Sequence, residues 1–160
     1  MADALKEPLF RNHLINLLLA IVLIGCSANA HAEIYDSEVC AFNADYDACS
    51  YVWGLGAWAA FVSLAFIIFE LRKDFLKISG RAIYILEILL AAMTSLLMFI
   101  AFCWMANAWS KTSSDLKHKA GPGNAGTAIA TALLGTVSWA TIICFSVRSN
   151  RSSGNEGLLG

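Results

Sequence analysis

The sequence predicts an all-α membrane protein, a four-transmembrane-helix bundle with both termini cytosolic. Three observations predict it. The chain is 58% hydrophobic and only 14% charged, with a mean hydropathy of +0.63. A soluble domain holds about 45–50% apolar and ~25% charged residues. The apolar residues gather into four runs, at 14–30, 51–69, 82–108 and 125–147. The two prolines, Pro8 and Pro122, both lie outside these runs.

Each run approaches or exceeds the ~20 residues a helix needs to cross hydrocarbon. No water is available there to satisfy backbone N–H and C=O groups, so each run must be helical. The first run ends in Leu23-Ile24-Gly25-Cys26, which fits a lipobox, and Ala28-Asn29-Ala30 fits a signal-peptide cleavage rule. The preceding segment mixes Asp3 and Glu7 with Lys6 and Arg11, whereas a secretory n-region is plainly basic. Cleavage at Ala30 would leave three spans. The run is therefore read as a retained signal-anchor helix. The third run is long enough to tilt or to project from the bilayer. Beyond the fourth run, residues 149–160 read as a short flexible cytosolic tail.

The connectors set the orientation. Lys6, Arg11, Arg72, Lys73, Lys77, Arg81, Arg148 and Arg151 fall on one side, and only Lys111, Lys117 and Lys119 on the other. The positive-inside rule places the first side in the cytosol. The first and third connectors are then lumenal. The first carries Glu33, Asp36, Glu38, Asp45 and Asp47 with no Lys or Arg. Tyr35, Tyr51, Trp53, Trp104 and Trp109 cluster at the same ends, as an interfacial belt does.

Cys40 and Cys49 both lie in the acidic connector, with eight residues between them. On the oxidising side of a membrane a disulfide is the default, and closing so short a loop stabilises by roughly 2–3 kcal/mol. In a reducing compartment both would be free thiols. Cys26 and Cys103 fall in or near the exoplasmic leaflet. Cys144, near the cytosolic end of span four, reads as a buried thiol, with palmitoylation as the alternative. The chain has no Cys-x-x-Cys pair, and His13, His31 and His118 are scattered. No metal or cofactor is predicted.

Glu87 lies inside the third span, where a carboxyl is costly. Ser63 in span two and Thr141 in span four lie at a similar depth counted from the cytosolic ends. The expectation is an interhelical hydrogen bond from Glu87 to one of them, with snorkelling toward Arg81 or a proton-coupling role as the competitors. Span four carries small residues four apart, Gly126/Ala130, Ala128/Ala132, Thr131/Gly135 and Thr136/Ala140. Such spacing lets membrane helices approach closely. It is read first as packing within the bundle at Gly126, Ala130 and Gly135, and second as an oligomer contact.

Known catalytic signatures are missing: the sequence has no Gly-x-Ser-x-Gly, P-loop or His-Glu-x-x-His motif. No enzyme is predicted. With a net charge of -1 there is no basic field for nucleic acid. The sequon Asn150-Arg151-Ser152 falls in the cytosolic tail and should stay unglycosylated. "EGLLG" at the end partly matches an acidic dileucine signal, at too short a spacing.

Several stretches resemble the synaptogyrin and synaptophysin family of four-span MARVEL-domain vesicle proteins. "CAFNADYDACS" resembles the family's first lumenal loop, and "GLGAWAAF" the start of its second span. "FCWMANAW" resembles the end of a synaptogyrin third span, and "WSKTSSDLK" the stretch after the third span of synaptophysins. Their order matches from about residue 10 to residue 148. The resemblance implies a left-handed four-helix bundle, a Cys40–Cys49 bridge and residence in synaptic-type or other small transport vesicles. It implies a non-catalytic role in vesicle biogenesis, membrane organisation and regulated exocytosis. The implied partners are the lipid bilayer, other copies of the chain, vesicle SNAREs and the vesicular proton pump. The tail departs from the family, being short and without Tyr, so tail-borne functions do not transfer. The lumenal loops carry no sequon, which places the chain nearer to synaptogyrins.

Two other readings compete. An accessory subunit of an ion-translocating complex would set Glu87 against a partner helix. A claudin-like junctional protein would share the two first-loop cysteines. Claudins need a longer first loop with a Gly-Leu-Trp segment, and here only nine residues, none of them Trp, separate the span from Cys40.

Overall fold

The computed structural model describes residues 8–29, 31–34, 37–42, 46–72, 80–120 and 122–156. Lys6, Tyr35, Lys73 and Lys77, which enter the topology reading, lie outside the described residues, as does the end of the dileucine-like stretch. Four helices are long and apolar enough to cross a membrane. They are α1 (Pro8–Ala28), α2 (Tyr46–Arg72), α3 (Gly80–Lys111) and α5 (Pro122–Glu156). Each begins before its apolar run, because hydropathy marks the hydrocarbon core while the helix continues into the interface. Pro8 and Pro122 each open a helix. The first position suits proline, whose missing N–H would have no partner there.

Two features refine the reading. α5 continues beyond Val147 to Glu156, so the backbone of 149–156 is helical where a flexible tail is expected. Extending an existing helix adds one hydrogen bond for each residue fixed, without a new nucleus. The connectors at the opposite end also carry structure. Strands β1 (His31–Ile34) and β2 (Ser37–Cys40) pair antiparallel, from His31↔Cys40 to Ile34↔Ser37. The short helix α4 (Ser114–Ala120) follows α3. Ser113 caps α4, its Oγ accepting from the Leu116 N–H at 3.3 Å.

The bundle is a ring in the order α2–α1–α5–α3. The α1–α2, α1–α5 and α3–α5 faces pack extensively, and α2–α3 closes the ring more loosely. Small side chains permit the close faces. Ala20, Ala59, Ala91, Ala101, Ala128 and Ala132 are all fully buried. At the α1–α2 face a Cβ on Gly56 would stand 2.6 Å from Ile24 Cγ1 and 3.4 Å from the Ala20 carbonyl oxygen. Only glycine allows that approach. Leu18, Phe61, Leu89, Leu96 and Leu134 point outward, as lipid-facing positions do.

The hairpin end is closed by covalent and polar contacts. Cys40 and Cys49 are bonded, with Cα atoms 6.2 Å apart. The bridge ties the last residue of β2 to the first turns of α2. Phe42 is fully buried and meets Trp109 edge-on at 6.4 Å. The Thr112 hydroxyl lies 3.2 Å from the Ala41 carbonyl and 2.9 Å from that of Ala108. Lys117 Nζ sits 5.4 Å from the Trp109 ring centre. The bond at Cys49 anchors the first connector to α2, and the Ala41 and Phe42 contacts anchor it at the end of α3.

Candidate functional site

The buried polar residues His13, Asn16, Ser63, Glu87 and Ser146 lie toward the end of the bundle where α1 begins. α1 presents Phe10, His13, Asn16, Ala20, Leu23 and Ser27 to the interior. The alternating three- and four-residue spacing is that of a single buried helix face. His13 is fully buried and Asn16 is 1% exposed. Glu87 reaches in from α3 with 8% exposure.

His13 Nε2 lies 2.9 Å from Glu87 Oε1. The Ser146 hydroxyl donates to Glu87 Oε2 at 3.1 Å. Three helices, α1, α3 and α5, thus meet at one carboxyl. The His13 ring stacks on Phe66 of α2, with centroids 5.1 Å apart, and meets Trp139 of α5 edge-on at 6.0 Å. All four membrane helices therefore contact this imidazole–carboxyl pair. A lone carboxylate in this setting would carry a large desolvation cost. Here each carboxyl oxygen has a hydrogen-bonding partner, the His13 imidazole at Oε1 and the Ser146 hydroxyl at Oε2.

The expected partners of Glu87 are corrected by this geometry. Thr141 instead accepts from Asn12 Nδ2 at 2.8 Å and donates to the Ser138 carbonyl at 2.7 Å. Asn12 and Ser138 complete this second α1–α5 contact, at 3.1 and 3.2 Å. Depth along a span sets the level of a residue but not its direction. Ser146 is five residues from Thr141, which turns it roughly 140° around the helix. Ser63 is fully buried, and its hydroxyl has no partner among the described residues. It lies one turn from Phe66, the residue that faces α1. Arg81 is not needed as a partner, because Glu87 is held inside the bundle.

The other sequence-derived sites divide. Gly135 is buried, and a Cβ there would meet Met98 Sδ at 3.4 Å. Gly126 and Ala130 are exposed, and nothing lies within 4 Å of a Cβ on Gly126. They do not pack within the bundle. The inward face of α5 is instead Ala125, Ala128, Ala132, Gly135, Trp139, Ile142 and Ser146, offset by one to two residues from Gly126 and Ala130. Cys144 is exposed rather than buried, and lines a shallow hollow with Ile143, Val147 and Arg148. Among the described residues no group of His, Cys, Asp and Glu is arranged to hold a metal ion.

The looser α2–α3 closure leaves an apolar groove of about 360 Å³, lined by Trp58, Phe61, Phe66, Phe69, Leu86 and Leu90 among others. Ring tips bridge the same two helices: Trp58 Nε1 donates to Thr94 Oγ1 at 3.2 Å, and the Tyr51 hydroxyl to the Leu97 carbonyl at 3.3 Å.

His13 and Asn16 were missed as site residues. His13 precedes the first apolar run by one position, and 74 residues separate it from Glu87. The signal available was the buried-face spacing His13, Asn16, Ala20, Leu23, Ser27, which places two polar side chains on an inward face.

Comparison with known proteins agrees with this architecture. The family model of the membrane-associating domain MARVEL matches residues 5–145. Synaptogyrin-2 of Mus musculus is 26% identical over 145 residues, covering 86% of this chain and 63% of that protein. Synaptogyrin-2 of Bos taurus is 27% identical over 121 residues, 71% of this chain and 53% of that protein. Synaptogyrin-4 of Homo sapiens is 29% identical over 104 residues, 62% of this chain and 43% of that protein. The chain thus spans less than two thirds of the length of these relatives. The domain match covers all but the first few residues and the last turns of α5, on a frame of four membrane-length helices: the chain is a synaptogyrin-like member of the MARVEL family.

Proposed function

We propose that the chain is a non-enzymatic multi-pass protein of synaptic-type or other small transport vesicles. It organises the vesicle membrane and supports vesicle biogenesis, trafficking and regulated exocytosis. The observation that carries the reading is the synaptogyrin-like MARVEL domain itself, from residue 5 to 145. The interior supports it. Its polar groups cross-link the four helices to one another, as a compact scaffold requires. The outward faces are apolar and offer lateral contact with lipid and with neighbouring membrane proteins. Vesicle SNAREs, the vesicular proton pump and further copies of the chain are the proposed neighbours.

Both termini and the α2–α3 connector are proposed to be cytosolic. The disulfide hairpin and α4 then face the lumen. The Lys and Arg distribution supports this orientation, and so does the Cys40–Cys49 bond, which requires an oxidising side. The accessory-subunit reading set Glu87 against a partner helix. Here the carboxyl is engaged by His13 and Ser146 within its own bundle, so it lends that reading no support.

The test is localisation with mild-detergent purification and mass spectrometry of what accompanies the chain. Punctate vesicle staining with substoichiometric vesicle proteins is expected. Junctional staining would sink the reading in favour of a claudin-like role. A stoichiometric pump complex would replace the scaffold by a dedicated subunit.

A further inference from the structure

Four buried polar atoms find no hydrogen-bond partner among the described residues: His13 Nδ1, Asn16 Nδ2, Asn16 Oδ1 and the Ser63 hydroxyl. They are not scattered. His13 and Asn16 are one turn apart on the buried face of α1. Ser63 and Phe66 are one turn apart on α2, and Phe66 stacks on the His13 ring. α1 and α2 run antiparallel, so one turn along from the His13–Phe66 contact both helices arrive at a polar residue, Asn16 on one and Ser63 on the other. Three further helical positions one turn along are small and fully buried: Ala20 from Asn16, Ala59 from Ser63, and Ala91 from Glu87. The interior there is polar and is lined by short side chains.

Leaving such groups unsatisfied in a membrane interior is costly. The imidazole sharpens the requirement. Its Nε2 is committed to Glu87. If the ring is neutral, Nδ1 needs a donor when the proton is on Nε2 and an acceptor when it is on Nδ1. If the ring is cationic, Nδ1 needs an acceptor. The one small partner that meets both needs, and also serves an amide and a hydroxyl, is water, which is retained in proteins where two to four polar groups converge.

We propose that His13 Nδ1, Asn16 and Ser63 form a buried water-binding site inside the bundle, which hydrates the His13–Glu87 pair. Phe66 of α2, Glu87 of α3 and Trp139 of α5 contact the imidazole. Of these only Glu87 is ionisable. Water at Nδ1 supplies the hydrogen bond that the protein does not, whichever proton state the pair adopts. It also gives the pair a path for exchanging its proton that no apolar neighbour provides.

The test is X-ray hydroxyl-radical footprinting of the full chain in lipid nanodiscs, read by peptide mass spectrometry. Radicals form from water, so a residue inside the bundle is oxidised only if water lies beside it. Oxidation of His13 and Trp139 is expected, while Met98 and Met105, chemically more reactive and equally buried, stay unmodified. Protection of His13 and Trp139 to the level of these methionines would overturn the proposal, and this measurement needs no variant. The double variant Asn16→Leu, Ser63→Ala then assigns the site. Labelling should fall to the level of the methionines. Unchanged labelling in a folded variant would show water held by other groups, and the assignment would fail.

Discussion

Gly56→Ala is the smallest change that tests the packing of the bundle. A Cβ at this position would stand 2.6 Å from Ile24 Cγ1 and 3.4 Å from the Ala20 carbonyl oxygen. Ordinary contact between carbon atoms begins near 3.5 Å, so roughly 0.9 Å must be recovered. Ile24 Cγ1 is a branch atom close to its own backbone, and the Ala20 oxygen is backbone, so α1 and α2 must separate. Overpacking of this kind costs typically 1–3 kcal/mol. Replacing a helical glycine by alanine returns about 0.5–1 kcal/mol through backbone entropy. The net expectation is a loss of about 1–2 kcal/mol. Gly54→Ala is the matched control: the same helix and the same substitution, with nothing within 4 Å of the new Cβ. It should be neutral or slightly stabilising. The assay is equilibrium unfolding in mixed micelles with SDS titration. Ile24→Ala removes the obstructing atom, so the Ile24→Ala/Gly56→Ala double variant should lose at least about 1 kcal/mol less than the sum of the singles. Equal stability of Gly56→Ala and Gly54→Ala, or additivity of the pair, would refute the close-approach reasoning.

Three further outcomes follow from the same structure. His13→Ala leaves the Glu87 carboxyl buried without its partner and should destabilise by about 3–5 kcal/mol. Glu87→Gln keeps an oxygen and an amide at the same place and should cost about 1–2 kcal/mol; both are read by the SDS titration, and the reverse ranking would contradict the pairing. Cys40→Ser should remove roughly 2–3 kcal/mol and abolish the mobility difference between reduced and non-reduced chain on gels. Maleimide should leave Cys40 and Cys49 of the detergent-solubilised fold unlabelled until reduction, as their bonding requires.

The number and extent of the spans were legible because membrane insertion depends on local composition. The runs at 51–69 and 82–108 fall inside α2 and α3, and 125–147 falls inside α5. The disulfide was legible for a similar reason: Cys40 and Cys49 share the one acidic connector read as exoplasmic, where a disulfide is the default. The hairpin was not. Its register opposes Glu33 to Glu38, and like charges across a strand pair disfavour pairing, so sequence favoured a loop. What holds the strands is remote: the bond from Cys40 to α2, and α4 packed on β1. The partner of Glu87 was illegible in a different way. Depth can be counted along each span, but ring order and rotation decide which residues meet. Only once α1 lies between α2 and α5 does His13 point at Glu87 and Ser63 at α1.

That ring order also fixes where the bundle is weakest. α1 is joined to α5 through Asn12, Ser138 and Thr141, and to α3 through His13 and Glu87. α3 is joined to α5 by the Ser95 hydroxyl donating to the Thr136 carbonyl at 3.0 Å. α1 and α2 meet without a gap at Gly56. Among the described residues the α2–α3 face has two ring-tip hydrogen bonds, beside an apolar groove of about 360 Å³. This face packs most loosely of the four, and interhelical hydrogen bonds in membranes average well under 1 kcal/mol, so separating α2 from α3 costs least. The residues lining the groove are apolar, whereas the buried carboxyl of Glu87 is paired across the bundle with His13. Parting α2 from α3 exposes aromatic and aliphatic side chains that lipid accepts; parting α1 from α3 exposes a carboxyl that it does not. A lateral partner or a lipid chain that enters the bundle meets its lowest resistance at that seam. The His13–Glu87 pair and the close α1–α2 approach at Gly56 keep the rest of the ring closed while that seam parts.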